Sequence, residues 1–269
     1  MDVQRERFLG YARGFFSGSP EVDPYIRLKV DHSLRVCANV HSLAEHEDAL
    51  GEEPAARALN LAALYHDVGR FEQYRRFRTF SDAVSINHGA LGVKIIREQG
   101  FFKDEKAETA RLARIAVAAH NRFALPGRLR GRARLVLTAL RDADKIDILG
   151  LIARELASAD LKDKQVLMGL EDDNGACTPA IVRALEEGRT ARYADMRYVN
   201  DFRALLCTWV HDLSFPSSLR AVKETGVFAS IVAGLSGAPA VRNSAESLLM
   251  RVLGPDVFSV RERISPPPV

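Results

Sequence analysis

The chain has 269 residues, 47% of them hydrophobic and 27% charged, so it can bury a sizeable core and is too balanced to be disordered or fibrous. A formal net charge of +3 is too small to imply a nucleic-acid coat or a membrane-surface role. The cysteines Cys37, Cys177 and Cys207 lie far apart with no C-x-x-C pair, which excludes a disulfide framework and a thiolate zinc knuckle and fits a cytoplasmic setting.

The opening MDVQRERFLG has no apolar core of the signal-peptide type, and no apolar run approaches the ~18 residues of a membrane span. Along the chain, apolar residues recur at intervals of three and four, which predicts an all-α protein. Leu34, Cys37, Val40, Leu43 and Ala44 make a first stripe. After a turn at Gly51 to Pro54, Ala58, Leu59, Ala62 and Tyr65 make a second. A third helix is predicted from about Ser85 to Glu98, and Asp104 is placed to cap a fourth that ends near His120. Asn121 to Gly131 reads as a loop, and Arg132 to about Ser158 as a long helix with acidic residues set into it. Beyond Glu171 to Pro179 the pattern is again helical, broken at Pro216 and at Gly234 to Pro239, with a proline-rich tail from about residue 265.

The acids in the long helix belong to an ordered series: His32, His66-Asp67, His88, His120 and Asp144. A His-Asp dipeptide alone carries little information, and the chain holds a second one, His211-Asp212. The first stands in A-L-Y-H-D-V-G-R, at the end of an apolar helix, where ionisable groups are costly unless paired or bound to metal. Imidazole nitrogens and carboxylate oxygens are ligands of Zn, Mn, Fe, Ni and Mg, and a carboxylate such as Asp67 can bridge two ions.

The series resembles the HD-domain superfamily of metal-dependent phosphohydrolases, on His32 in DHSLRV, His66 and Asp67 in HDVGR, and Asp144 in RDADKIDIL. The likeness spans about residues 25 to 150, and FEQYRRFRTFSDAVSINH is similar to the stretch that follows the His-Asp pair in many bacterial members. The resemblance implies that His32, His66, Asp67 and Asp144 hold a first metal, with Asp67 bridging to a second held by His88 and His120. It also implies attack on a phosphate ester or anhydride by a metal-bridging hydroxide. In the cyclic-dinucleotide phosphodiesterases of the family a His-His pair and a Gly-Tyr-Pro signature are found where this chain has His120-Asn121 and NRFALPG, which disfavours that activity. The same six ligands occur in relatives that use two irons to oxygenate small substrates, so a di-iron oxygenase remains an alternative. A metal-stabilised signalling or interaction module without turnover is another.

Arg70, three residues after the pair, suits a phosphate through its guanidinium fork, and Lys145 beside Asp144 would offset charge at the site or on the leaving group. Arg75, Arg76 and Arg78 fall in a predicted loop, and Arg128, Arg130, Arg132 and Arg134 read as a solvated face rather than a nucleic-acid surface. His41 points away from His32 on one helix and His46 lies too far along it. His211-Asp212 precedes a proline break and reads as a helix terminus.

The expectation is therefore an HD-domain-like helical bundle over 1–165 with a helical C-terminal extension over 166–269 packed on it. Its catalytic residues are Asp67, Arg70 and Lys145, and its metal ligands are His32, His66, Asp67, His88, His120 and Asp144, holding two divalent ions, Fe or Mn before Zn, Ni or Mg. The expected substrate is a small phosphorylated metabolite such as a nucleotide, with no membrane and no nucleic acid as partner, and a homo-oligomer is compatible with the sequence.

Overall fold

A computed structural model describes residues 2–157, 170–173, 175–235 and 237–259. The boundary expected at about residue 165 and the proline-rich tail lie outside the described residues. Among the described residues the protein is all-α, with no strand and one isolated bridge between Glu171 and Tyr198. No described helix is long and apolar enough to cross a membrane. The chain packs as two units, Met1–Asp147 and Ile148–Val269.

The first unit holds α1 (Asp2–Arg13), α2 (Asp23–Ala44), α3 (Asp48–Gly51), α4 (Ala55–Tyr65), α5 (Val68–Phe77), α6 (His88–Glu98) and α7 (Ala107–Ala119). Helix α8 (Gly131–Ala157) runs through the division. Local chemistry sets the helix starts. Pro24 in the first turn of α2 has a ring already at helical φ, and Asn87 caps α6 by accepting the Ala90 N–H at 2.8 Å. Alanines make the α4–α7 contact close: Ala58, Ala62, Ala63, Ala113 and Ala116 are fully buried beside Leu61, Leu112 and Val117. Truncating Leu61 or Leu112 there to alanine costs about 2–5 kcal/mol through the cavity it leaves. Helix α1 is tied in by Tyr65, whose hydroxyl donates to Gln4 Oε1 at 2.9 Å while its ring meets Phe8 edge-on at 5.7 Å.

Two local expectations are corrected. The basic run before His88 is largely helix α5 rather than loop: Phe71 and Tyr74 are buried on one face, and Arg75 and Arg76 stay exposed and pair with Glu72. The density of charge hid a short amphipathic pattern. Helix α7 begins at Ala107 after Lys106, not behind Asp104, because Asp104 accepts instead from Arg7 of α1 at 2.9 Å.

The second unit contains α9 (Pro179–Glu186), α10 (Val199–Thr208), α11 (Pro216–Glu224), α12 (Val227–Ala233) and α13 (Pro239–Leu253). The prolines read as breaks are helix starts, since the missing N–H is one that a first turn leaves unbonded anyway. Every residue of α10 is buried, and its Asp201 carboxylate accepts from Thr178 N–H at 2.6 Å, Tyr198 N–H at 2.9 Å and Arg197 N–H at 2.8 Å.

Candidate metal centre

Helix ends build the centre. His66 closes α4, Asp67 is the N-cap of α5, His88 is the first residue of α6, and His120 closes α7. His32 and Asp144 come from within α2 and α8. Side chains at these ends meet because the helices approach at glycines. A Cβ on Gly69 would lie 2.2 Å from the His88 carbonyl oxygen, and one on Gly89 would lie 2.8 Å from that of Val117. Any side chain at either place forces α5, α6 and α7 apart.

All six residues of the expected set converge. The Nε2 atoms of His32 and His66 are 3.0 Å apart, as are those of His88 and His120. Asp67 stands between the two pairs. Its Oδ2 is 3.6 Å from His32 Nε2 and 3.8 Å from His66 Nε2; its Oδ1 is 3.3 Å from His88 Nε2 and 3.8 Å from His120 Nε2. Asp144 Oδ1 lies 3.1 Å from His32 Nε2 and 3.8 Å from His66 Nε2. The four imidazoles and Asp67 are all less than 7% exposed.

The far side of each ring is engaged. His66 Nδ1 donates to the Ala63 carbonyl and His120 Nδ1 to the Val117 carbonyl, both at 2.8 Å. His32 Nδ1 donates to Asp147 Oδ2 at 2.6 Å, and His88 Nδ1 to Asp82 Oδ2 at 2.7 Å. A carbonyl only accepts, so Nδ1 of His66 and His120 carries the proton and, in the neutral ring, Nε2 presents a lone pair inward. Orientation by an outer carboxylate or carbonyl is the arrangement that prepares imidazole for a metal.

Electrostatics follow from these contacts. Burial pushes His66 down to about 4, and burial with the Arg70 charge pushes His88 down to about 3, so both rings stay neutral. Burial also presses on His32, but hydrogen bonds to Asp144 and Asp147 lift it to about 9, and it carries the proton among the acids. For Asp67, burial is outweighed by the charges of Lys29 and Arg70, which hold its carboxyl well below the usual range. Asp144 is likewise held down, its burial outweighed by hydrogen bonding to His32.

Arg70 is a neighbour of this centre: its Nε lies 3.4 Å from Asp67 Oδ1, while its Nη1 donates to Gln73 Oε1 at 2.8 Å, to Asp82 Oδ1 at 3.0 Å and to the Phe80 carbonyl. Lys145 is buried on α8, one residue and so ~100° around the helix from Asp144. His41 and His46 are exposed on the surface, and His211 is exposed in the second unit.

Several contributors escaped the sequence reading. Lys29 donates to Asp67 Oδ2 at 2.9 Å, Arg35 to Asp147 Oδ1 at 2.5 Å, and Asn121 Nδ2 to Asp82 Oδ2 at 2.8 Å. Arg141 of α8 donates to the carbonyls of His120, at 3.1 Å, and Arg122, satisfying the end of α7. Lys29 and Arg35 lie three residues either side of His32, and Asp147 lies three after Asp144, so helical spacing carried a signal for these three. Asp82 opens a single 3-10 turn between α5 and α6 and had none.

The donors suit metal. His32, His66 and Asp144 bring three ligand atoms within 4.8 Å of one another, and so do His66, Asp67 and His120. These spacings match atoms that each lie ~2.0–2.2 Å from a shared ion. No curated protein and no solved structure matches the chain. The model of the HD domain family matches residues 30–157, which takes in every residue of the centre except Lys29. That superfamily is one of metal-dependent hydrolases. With its helices, its His-Asp series and this match in agreement, residues 30–157 of the chain are an HD domain.

Proposed function

We propose that the protein is a metal-dependent phosphohydrolase whose centre takes two divalent ions, one at His32, His66, Asp67 and Asp144 and the other at Asp67, His88 and His120. The observation that carries this reading is the placement of Asp67. Each of its oxygens faces one pair of imidazole Nε2 atoms, and the members of each pair are 3.0 Å apart. Two imidazole lone pairs at that distance repel one another unless a proton or a metal ion lies between them. The His32–His66 pair has the His32 proton; the His88–His120 pair has both Nδ1 hydrogens directed outward, and a cation is the natural occupant.

Bound divalent ions supply Lewis-acid activation of water near neutral pH and stabilise charge on a transferring phosphoryl group. An all N/O donor set suits Fe and Mn first, then Zn, Ni or Mg. The chain's own residues do the rest. Asp147 and Asp82 fix the tilt and tautomer of His32 and His88. Arg70 holds the Asp67 and Asp82 carboxylates in register and is a positioning residue. Lys145, beside Asp144 in the middle of α8, adds positive potential to that stretch of the helix. The substrate is a phosphate ester or anhydride of a nucleotide or other small metabolite.

The test is a panel of nucleoside mono-, di- and triphosphates and sugar phosphates, assayed for phosphate release with protein loaded with Fe, Mn or Zn. Metal-dependent release that is lost on chelation and in Asp67→Ala is expected. Absence of release across the panel from protein holding two metals overturns the reading, and oxygen uptake by the iron form would replace it with an oxygenase.

A further inference from the structure

Two cations touch Asp67, and they are held differently. Arg70 sits near Oδ1 and is locked, with Nη1 on Gln73, Asp82 and the Phe80 carbonyl. Lys29 sits on Oδ2 at 2.9 Å, and this is its one hydrogen bond among the described residues. Its ammonium also lies 5.0 Å from the centroid of the Phe80 ring, an attraction without directional bonds. Lys29 is one turn before His32 on α2, so its stem enters from the same face, and it keeps 17% side-chain exposure where Asp67 has 5%. It is therefore the less buried partner of this ion pair.

Asp67 Oδ2 is also the oxygen that faces the His32 and His66 Nε2 atoms. A divalent ion drawn to that oxygen repels an ammonium on it, and of the two cations only Lys29 has a flexible stem and no second hydrogen-bonded anchor. The Phe80 face keeps the displaced ammonium beside the centre, with three N–H donors to offer.

We propose, resting on the metal-dependent phosphohydrolase reading, that Lys29 is a hand-over cation: it neutralises Asp67 in the metal-free protein and binds the phosphoryl oxygens of a phosphomonoester when metal takes the Asp67 oxygen. It is a substrate-binding residue that also competes with the metal.

The two duties give opposite signs in one variant. Lys29→Met and Lys29→Gln, the second guarding against a folding defect in the first, are compared with wild type in two binding measurements. Metal-free protein titrated with Mn2+ should bind it several-fold more tightly in both variants, because the competing cation is gone. Inorganic phosphate binding to the Mn2+-loaded protein, read by calorimetry, should weaken about tenfold, the loss of one charge-assisted hydrogen bond, and Lys29→Arg should recover part of it. In turnover assays KM should rise by a similar factor while kcat changes little. Unchanged or weaker Mn2+ binding, or unchanged phosphate affinity, overturns the hand-over. Phosphate binding that depends on Lys29 in a protein that hydrolyses no ester overturns the phosphohydrolase reading and leaves the hand-over standing; hydrolysis with an unaltered KM in the variants does the reverse.

Discussion

The chain contains the same dipeptide twice, and the two copies share a local backbone. Asp67 has φ −99° and ψ 12° at the junction of α4 and α5; Asp212 has φ −95° and ψ −7° after the helical turn that ends at His211. Their surroundings differ entirely. His66 is fully buried and Asp67 faces four imidazoles and two cations drawn from α2, α4, α5, α6 and α7. His211 is exposed, and Asp212 accepts a hydrogen bond from the Thr190 hydroxyl at 3.1 Å. A helix terminus can present a histidine and an aspartate anywhere; partners distant in sequence turn one copy into a charge centre and leave the other as surface.

Substitutions at the two copies should separate them sharply. The largest effect is expected from Asp67→Ala, which removes an oxygen from both proposed metal positions: bound metal per chain should fall to near zero and phosphatase activity below detection, with helical content by circular dichroism nearly intact. Metal content equal to wild type would detach Asp67 from the centre. Next is Asp147→Asn, which replaces the carboxylate that orients His32 Nδ1 with a neutral amide. Metal affinity, read by competition with a chelator, should drop about 10- to 100-fold. An unchanged affinity would mean that Asp144 alone holds the ring.

The metal-free protein should also show the centre in its pH dependence. His66 and His88 have folded-state values pushed down to about 4 and 3, below the ordinary ~6.5, so the unfolded chain binds more protons and stability rises as pH climbs from about 3 to 6.5. His32 is raised to about 9; its contribution is fully present below ~6.5 and is lost as pH rises through 9. Urea midpoints between pH 4 and 9.5 should therefore pass through a maximum near 6.5 and decline on the alkaline side, and added metal should flatten the alkaline decline by displacing the His32 proton. A midpoint that keeps rising to pH 9 would contradict the proton placed on His32. The smallest effect belongs to the other dipeptide: His211→Ala should leave metal content unchanged and alter stability by less than about 0.5 kcal/mol.

Much of the centre was legible because its histidines and aspartates recur in a fixed order and four of them lie at helix ends that the apolar stripes mark. His88 illustrates the point: as the first residue of α6, it is both a helix start and a member of the centre. The supporting charges were harder to see. Lys29 and Arg35 look like ordinary surface residues of α2 until α5 and α8 deliver Asp67 and Asp147 to them, and Asp82 reaches His88 only through the turn of a loop. Helix α5 was concealed for a related reason, since Arg70, Glu72, Arg75 and Arg76 interrupt the short stripe of Val68, Phe71 and Tyr74 that it buries.

Metal content per chain, measured by plasma mass spectrometry on protein purified without chelator or an affinity metal column, tests the two-ion centre most directly. About two equivalents of a transition metal per chain is the expected result, given the two imidazole pairs on opposite oxygens of Asp67. No bound metal, even after incubation with Mn, Zn and Fe, would contradict it and leave the buried histidines and aspartates as a hydrogen-bonded cluster.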